Sequence, residues 1–150
     1  MEPAKSTEWE TPAALFADLD AAYSFDLDAA ATPQNAKCAR FFTAADDALI
    51  QDWNARAVWC NPPYGRALPR FIRKAWEEVE AGHAGRVVLL IPARTDTAVF
   101  HEVIFPKASR IEFLRGRVHF GGGGSAPFPS CVVVFGGELE GIEAKERPTR

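Results

Sequence analysis

The chain has 150 residues, 47% of them hydrophobic and 25% charged, with a formal net charge of −3. That is enough to bury a core without disulfides or metal, no apolar run is long enough to span a bilayer, and the acidic balance sets aside a protein that coats nucleic acid through net charge alone. Cys38, Cys60 and Cys131 are far apart, odd in number and without a Cys-x-x-Cys pair, so buried thiols are expected rather than a disulfide framework. The start, Met1-Glu2-Pro3-Ala4-Lys5, lacks the build of a secretion signal, which makes a cytoplasmic location the expectation.

Thr11-Pro12 announces a first helix, with threonine as N-cap, proline at the first helical position, and Leu15, Leu19 and Ala22 following at helical spacing. Phe25-Asp26-Leu27-Asp28 alternates and predicts a strand with Phe25 and Leu27 inward. From Ala29 to Trp53 the pattern is irregular, with room for a short strand near Ala39-Arg40-Phe41-Phe42. Ala57-Val58-Trp59-Cys60 reads as a buried strand that ends in Asn61-Pro62-Pro63-Tyr64.

Leu68, Phe71, Ile72, Ala75, Trp76 and Val79 define the clearest amphipathic helix, with Pro69 near its start and Gly82 past its end. Val87-Val88-Leu89-Leu90-Ile91, ended by Pro92, has the composition of a strand covered on both faces. A short helix is expected over Thr97 to Ile104. Three further strands are expected at Ile111–Leu114, Arg117–Phe120 and Cys131–Phe135, the later ones close enough to pair as a hairpin. The tail from Gly141 to Arg150 is polar and expected to fray.

Strands alternating with helices early and following one another late predict a single α/β domain over residues 1–140, mostly parallel, with an antiparallel hairpin at its edge. Such a three-layer α/β/α domain binds ligands above the carboxyl ends of its strands, where Asp28 and Asn61 both fall. No Gly-x-Gly-x-x-Gly, no Gly-Lys-Ser/Thr loop and no zinc-spaced His/Cys cluster occurs, so no metal is expected. His83, His101 and His119 are scattered, and Gly121-Gly122-Gly123-Gly124 reads as a flexible turn.

The Asn-Pro-Pro-Tyr turn concentrates the chemistry. Consecutive prolines remove two backbone donors and keep nearby carbonyls out of helix or ladder. An Asn side-chain oxygen beside such a carbonyl offers two acceptors to one exocyclic amino group, and Tyr64 offers a ring face for stacking. The plainer reading is a loop turn, since Asn-Pro and Pro-Pro steps punctuate loops generally. Basic residues gather at or after this turn, in Arg66, Arg70, Arg73, Lys74, Arg94 and Arg117, while acids crowd the first half. A basic face on an acidic protein can hold DNA, and for each of these side chains a solvated surface pair is the alternative.

Asn61-Pro62-Pro63-Tyr64 matches the catalytic motif of amino-group methyltransferases. Together with Trp9-Glu10-Thr11-Pro12, Phe25-Asp26-Leu27-Asp28, the segment Ala31 to Cys38, Asp46-Asp47-Ala48-Leu49, Pro92 to Thr97, Arg115 to Phe120 and Pro127 to Ser130, it makes the chain resemble the phage-type DNA adenine-N6 methyltransferases from about Trp9 to Phe135. The resemblance implies a class I, Rossmann-like methyltransferase fold, S-adenosylmethionine as methyl donor, and double-stranded DNA as partner for a monomer or weak homodimer in a bacterial or phage-infected cell. It implies catalytic roles for Asn61, Pro62, Pro63 and Tyr64, the last stacking on a flipped base. Thr11, Pro12 and the loop after Asp28, with Ala29 and Ala30, would border the methionine part of the cofactor, and Asp47, Ala48 and Leu49 would lie near its adenine, with Asp46 the alternative to Asp47; Asp28 and Asn61 are further cofactor-binding candidates. The family's usual Asp-Pro-Cys-Ala-Thr is replaced by Asp28-Ala29-Ala30-Ala31-Thr32, which removes a stiffening proline. Other acceptors known to such turns are cytosine N4, RNA adenine and protein glutamine, and a DNA-binding domain with weakened catalysis is the rival from another class.

Overall fold

The computed structural model describes residues 10–120 and 126–145, the last three by backbone alone. Trp9, Gly121 to Gly124 and the chain beyond Lys145 lie outside the described residues. Six strands, β1 (Leu27–Asp28), β2 (Ala55–Cys60), β3 (Ala84–Pro92), β4 (Arg110–Leu114), β5 (Ser130–Phe135) and β6 (Gly141–Lys145), form one sheet in the order β1-β2-β3-β5-β4-β6. Neighbours pair in parallel except at β5, which runs antiparallel to both β3 and β4. The helices are α1 (Ala13–Tyr23), α2 (Ala67–Glu80) and α3 (Phe105–Lys107).

The apolar run of β3 is buried on both faces, as its composition demands. Val87, Leu89 and Ile91 join Phe71, Ile72 and Ala75 of α2 in one core cluster, while Val88 and Leu90 join Leu15 and Leu19 of α1 in another. Each such side chain contributes about 1.5–3 kcal/mol by leaving water, so the sheet is anchored at its centre. The β2-α2-β3 crossover connects parallel neighbours, and Gly82, at φ 82°, turns the chain from α2 toward β3 in a left-handed conformation that favours glycine.

Several expectations change. The antiparallel element is not an edge hairpin: β5 is buried along its whole length and sends Cys131, Val133 and Phe135 to one cluster and Val132 and Val134 to the other, so it lies between two strands rather than at a rim. Arg117 to Phe120 is an extended loop with a single bridge position at His119, because β4 already occupies the flank of β5. Val118 and Phe120 are nevertheless buried. The first strand shortens to Leu27–Asp28, since the Asp26 carboxylate takes the Arg56 and Ala57 N–H groups (3.1 and 2.9 Å); Phe25 packs in the opposite cluster from Leu27. The segment near Phe41 makes only one bridge, to Asp28. Thr11 does not cap α1, which begins at Ala13 with Pro12 as N-cap and no side-chain cap. Gly141–Lys145, expected to fray, pairs in parallel with β4.

The helix expected over Thr97 to Ile104 contains a π turn, Phe100–Ile104, that runs into α3. Pro106 has no N–H to close an α turn on Glu102, and the wider turn accommodates that loss.

At the opposite end of the sheet from the strand carboxyl ends, Glu78 ties α2 to the entry of β2. Its buried carboxylate accepts the Trp53 N–H (2.6 Å) and the Lys74 ammonium (3.1 Å), and lies 3.2 Å from the His83 ring, which Asp52 also approaches at 3.5 Å. Burial raises the Glu78 pKa, but the Trp53 N–H, His83 and Lys74 more than offset it and hold the carboxyl below its ordinary range. Glu78→Ala leaves a buried N–H and a half-buried ammonium without their acceptor, so a loss of about 3–5 kcal/mol is expected in urea unfolding.

Candidate active site

The carboxyl ends of β1 and β2 deliver Asp28 and Asn61 to a common cavity of about 570 Å³. Thr11, Ala29, Ala30, Asp47, Ala48, Pro62 and Pro63 line the same cavity. Residues spread from the start of α1 to the turn after β2 thus converge on one space.

Asn61 is held at both ends of its amide. Its Nδ2 donates to Thr11 Oγ1 at 2.9 Å, and the Tyr64 hydroxyl lies 3.1 Å from its Oδ1 and 3.1 Å from the Leu90 carbonyl. One phenolic proton serves those two acceptors, so Tyr64 links Asn61 to β3. Burial, with the Cys131 and Cys60 thiols nearby, pushes the phenol well above its usual pKa and keeps it a neutral donor. The ring itself is buried, packs edge-on against Phe128 at 5.6 Å between centroids, and does not line the cavity. Phe128, from the loop before β5, thus packs against the ring in which the sequence offers a stacking face.

Asp28 is only 2% exposed. Its Oδ1 accepts Ala30 N–H at 3.2 Å and its Oδ2 accepts Lys37 N–H at 3.0 Å. Burial pushes its pKa up to about 6 against the pull of those two bonds and of the Lys37 charge. The alanines that follow are held by backbone bonds, Ala29 N–H to Trp59 O (2.9 Å) and Ala31 N–H to Phe42 O (3.0 Å). A proline at position 29 would forfeit the first of these, so this chain stiffens the loop by hydrogen bonds where the family pattern uses a ring. Beyond it, Thr32 and Asn35 bond each other reciprocally (2.7 and 3.2 Å) and close a turn that brings Lys37 to the cavity.

Of the two candidate aspartates, Asp47 faces the cavity while Asp46 is spent on the Thr43 N–H (2.8 Å). Asp47 adopts φ 58° and caps the short 3-10 turn Ala48–Ile50 by accepting Leu49 N–H. Leu49 and Pro12 support the wall from behind, Leu49 against the core and Pro12 through its carbonyl to Phe16 N–H. Lys37, Phe42, Thr43, Trp59 and Phe71 line the cavity too and were not singled out as site residues. Phe42 and Lys37 sit in the least periodic part of the chain; the paired Thr32 and Asn35 were the available turn signal.

The basic side chains divide. Arg66 and Arg70 at the start of α2, Arg94 after β3 and Arg117 after β4 are exposed, and these element ends share the rim that carries the cavity. Arg94 stacks over the Phe128 ring at 5.5 Å. Arg73 pairs with Glu102 at 2.8 Å, and Lys74 is drawn into its little-exposed pair with Glu78, away from that rim. Cys60 and Cys131 are buried as expected and Cys38 half-buried, its thiol pushed up to about 12 by burial and the nearby Asp28 charge.

A mixed α/β sheet whose carboxyl rim opens a roomy cavity, walled by Asn61, Pro62 and Pro63 just past the end of one strand and by a buried carboxylate on the next, has the build of a methyltransferase-like domain. Residues 2–135 match the family model for DNA N-6-adenine-methyltransferase (Dam), and the chain belongs to that family. It is 38% identical over 96 residues to the DNA N-6-adenine-methyltransferase of Escherichia phage T1, covering 63% of this chain and 39% of the phage protein. It is 32% identical over 115 residues to the protein of the same description from Haemophilus phage HP1 (strain HP1c1), covering 71% and 65%. The chain thus spans less than two thirds of the length of either relative.

Proposed function

We propose that this chain transfers a methyl group from S-adenosylmethionine to the N6 amine of adenine in double-stranded DNA. The observation that carries the proposal is that Asn61, on its proline-rich turn, and the buried Asp28 wall one cavity. Family membership and the phage relatives, described as DNA N-6-adenine-methyltransferases, support it. In this reading the sheet and helices form the three-layer, Rossmann-like class I arrangement, and the chain acts on DNA inside a bacterial or phage-infected cell as a monomer or weak homodimer. Among the described residues no helix is long and apolar enough to cross a membrane.

The cavity suits the cofactor: about 570 Å³ falls within the range of small-molecule sites. Asp28 offers a carboxylate to a cationic amino group, and Asp47 an acceptor beside the short Ala48. Phe42 and Phe71 offer apolar wall for a ring. When bound, S-adenosylmethionine supplies an electrophilic sulfonium methyl.

The chain's own part is to present the amine. Adenine N6 is a weak nucleophile because its lone pair is delocalised into the ring. When Asn61 Oδ1 and the Pro62 carbonyl accept its two hydrogens, the nitrogen turns toward tetrahedral geometry and its lone pair becomes available. In-line positioning supplies much of the remaining acceleration. Held by those two acceptors, the amine would take the methyl that the bound donor supplies and would give up one of its protons to water. A base in a duplex cannot reach this cavity and must flip out, with Phe128 withdrawing if Tyr64 is to stack on it.

Labelled-methyl transfer to duplex DNA, RNA and peptide, followed by modification-sensitive sequencing of plasmid DNA, tests the acceptor. Methyl on adenine N6 of DNA is expected; label only on cytosine N4, RNA or peptide reassigns it, and no transfer with no cofactor binding leaves a DNA-binding domain. Loops at the rim supply DNA contacts in this reading. Arg94→Ala is expected to weaken DNA binding and to reduce its salt slope by about one if Arg94 contacts phosphate. Lys74→Met, whose ammonium is already paired, should leave binding unchanged in the same titration.

A further inference from the structure

The loop that leaves β1 closes back on the residue that ends it. Ala31 N–H bonds the Phe42 carbonyl at 3.0 Å, Thr32 and Asn35 bond each other, and the Lys37 N–H returns to Asp28 Oδ2 at 3.0 Å. The backbone of Lys37 is thereby pinned beside a carboxylate nine positions earlier. Both residues line the cavity, and among its described lining residues Lys37 is the only cation, facing the acids Glu10, Asp28 and Asp47. We propose that Lys37 binds the carboxylate of the cofactor's methionine part, so that Asp28 and Lys37 together read the two charges of an α-amino acid zwitterion. The proposal rests on the S-adenosylmethionine reading and extends it to a residue that the resemblance left without a role.

An α-amino acid carries its ammonium and its carboxylate on one carbon, so a wall that attracts the first with a lone carboxylate repels the second. A cation beside Asp28 turns that repulsion into attraction. Lysine suits the task, because its ammonium brings three donors on a flexible stem and can follow the carboxylate wherever the ligand places it. The two wall charges do not cancel by contact. Each Asp28 oxygen accepts a backbone N–H, and among the described residues no carboxylate forms an ion pair with Lys37. The Lys37 charge is still near enough to pull the Asp28 pKa down against burial. A half-buried cation next to a buried anion, both at the surface of one cavity, matches a ligand with the same two charges in the opposite order.

The test is calorimetry with two ligands that differ by one group: S-adenosylhomocysteine, and its decarboxylated form, which keeps the adenosine and the amine. The unmodified protein is expected to bind the first about 10- to 100-fold more tightly, the scale of a hydrogen bond to a charged group. In Lys37→Met and Lys37→Gln the preference should shrink to within about threefold, with the loss falling on S-adenosylhomocysteine while the decarboxylated cation binds no more weakly than before. Lys37→Arg, which keeps the charge, should retain most of the preference. Both ligands carry the amine, so any change in the ionisation of Asp28 affects them alike and drops out of the ratio. The substitutions also leave the loop in place, because Lys37 holds Asp28 through its backbone N–H. A preference that survives in the two neutral variants, or a loss equal for both ligands, overturns the proposal. So does binding of both ligands to the unmodified protein without preference, which leaves the S-adenosylmethionine reading standing. If neither ligand binds the unmodified protein, that reading falls and takes the proposal with it.

Discussion

Asn61→Ala is expected to abolish most methyl transfer while leaving the fold and cofactor binding in place. The side chain ends in the cavity and is half-buried, so truncation removes its hydrogen bonds to Thr11 and Tyr64 without opening the core. The rate is another matter. Removing one preorganised hydrogen-bonding group from a developing transition state costs about 10²–10³ in kcat. Here the group both accepts an amine hydrogen and sets the direction of the lone pair, so the upper part of that range is expected. Tyr64→Phe takes away a single hydroxyl that touches Asn61 rather than substrate, and a smaller loss is expected. The readout is labelled-methyl transfer to duplex DNA with parallel calorimetry for the cofactor product. Full activity in Asn61→Ala would falsify the assignment of the turn, whereas loss confined to cofactor affinity would move Asn61 from the acceptor side to the cofactor side.

What could be read from the chain follows from how local each determinant is. The helix around Phe71 and Ile72, the β3 run and the strand into Asn61 declare themselves through periodicity that depends only on near neighbours. Asn61 and Asp28 were legible because strand ends carry ligands in α/β sheets, and the cavity does join them. The place of β5 between β3 and β4 was not legible, since an apolar strand does not state which partners flank it. Tyr64 shows the same limit. Its ring reads as a stacking surface, and only the fold brings Phe128, distant in sequence, edge-on against it. Lys74 looked like one more cation on an exposed helix face until the buried Glu78 claimed it. Thr11 is the sharpest instance: the local Thr-Pro signal for a cap is genuine, but a tertiary partner won the hydroxyl. In each case a long-range contact decided the fate of a side chain whose local pattern allowed two.

Asp28 makes the second large effect, and its direction is set by burial. The folded protein holds the carboxyl near pKa 6 against an ordinary 3.8, so between those values the folded state binds a proton that the unfolded chain has released. Stability of the unliganded protein therefore falls as pH rises from about 4 to beyond 6, by about 3 kcal/mol in all if no other group masks it. Asp28→Asn should flatten that slope, while its NH₂ would face one of the two N–H groups, of Ala30 and Lys37, that the carboxylate now accepts, so the pH dependence and not the absolute melting temperature reports the charge. A cationic amino group placed against Asp28 reverses the preference, because it favours the ionised carboxylate that burial opposes. S-adenosylmethionine should then bind more tightly as pH rises through 6 and release about half a proton per site at pH 6. Calorimetry in two buffers of different ionisation heat measures that proton directly. In Asp28→Asn the release should vanish and the affinity drop. A variant that binds as tightly as the parent, with the same pH profile, would show that the buried carboxylate serves the loop through its bonds to Ala30 and Lys37 and not the ligand. Under the proposed function, a carboxylate whose burial opposes its ionisation in the unliganded protein is one whose charge is reserved for a cation that arrives with the cofactor.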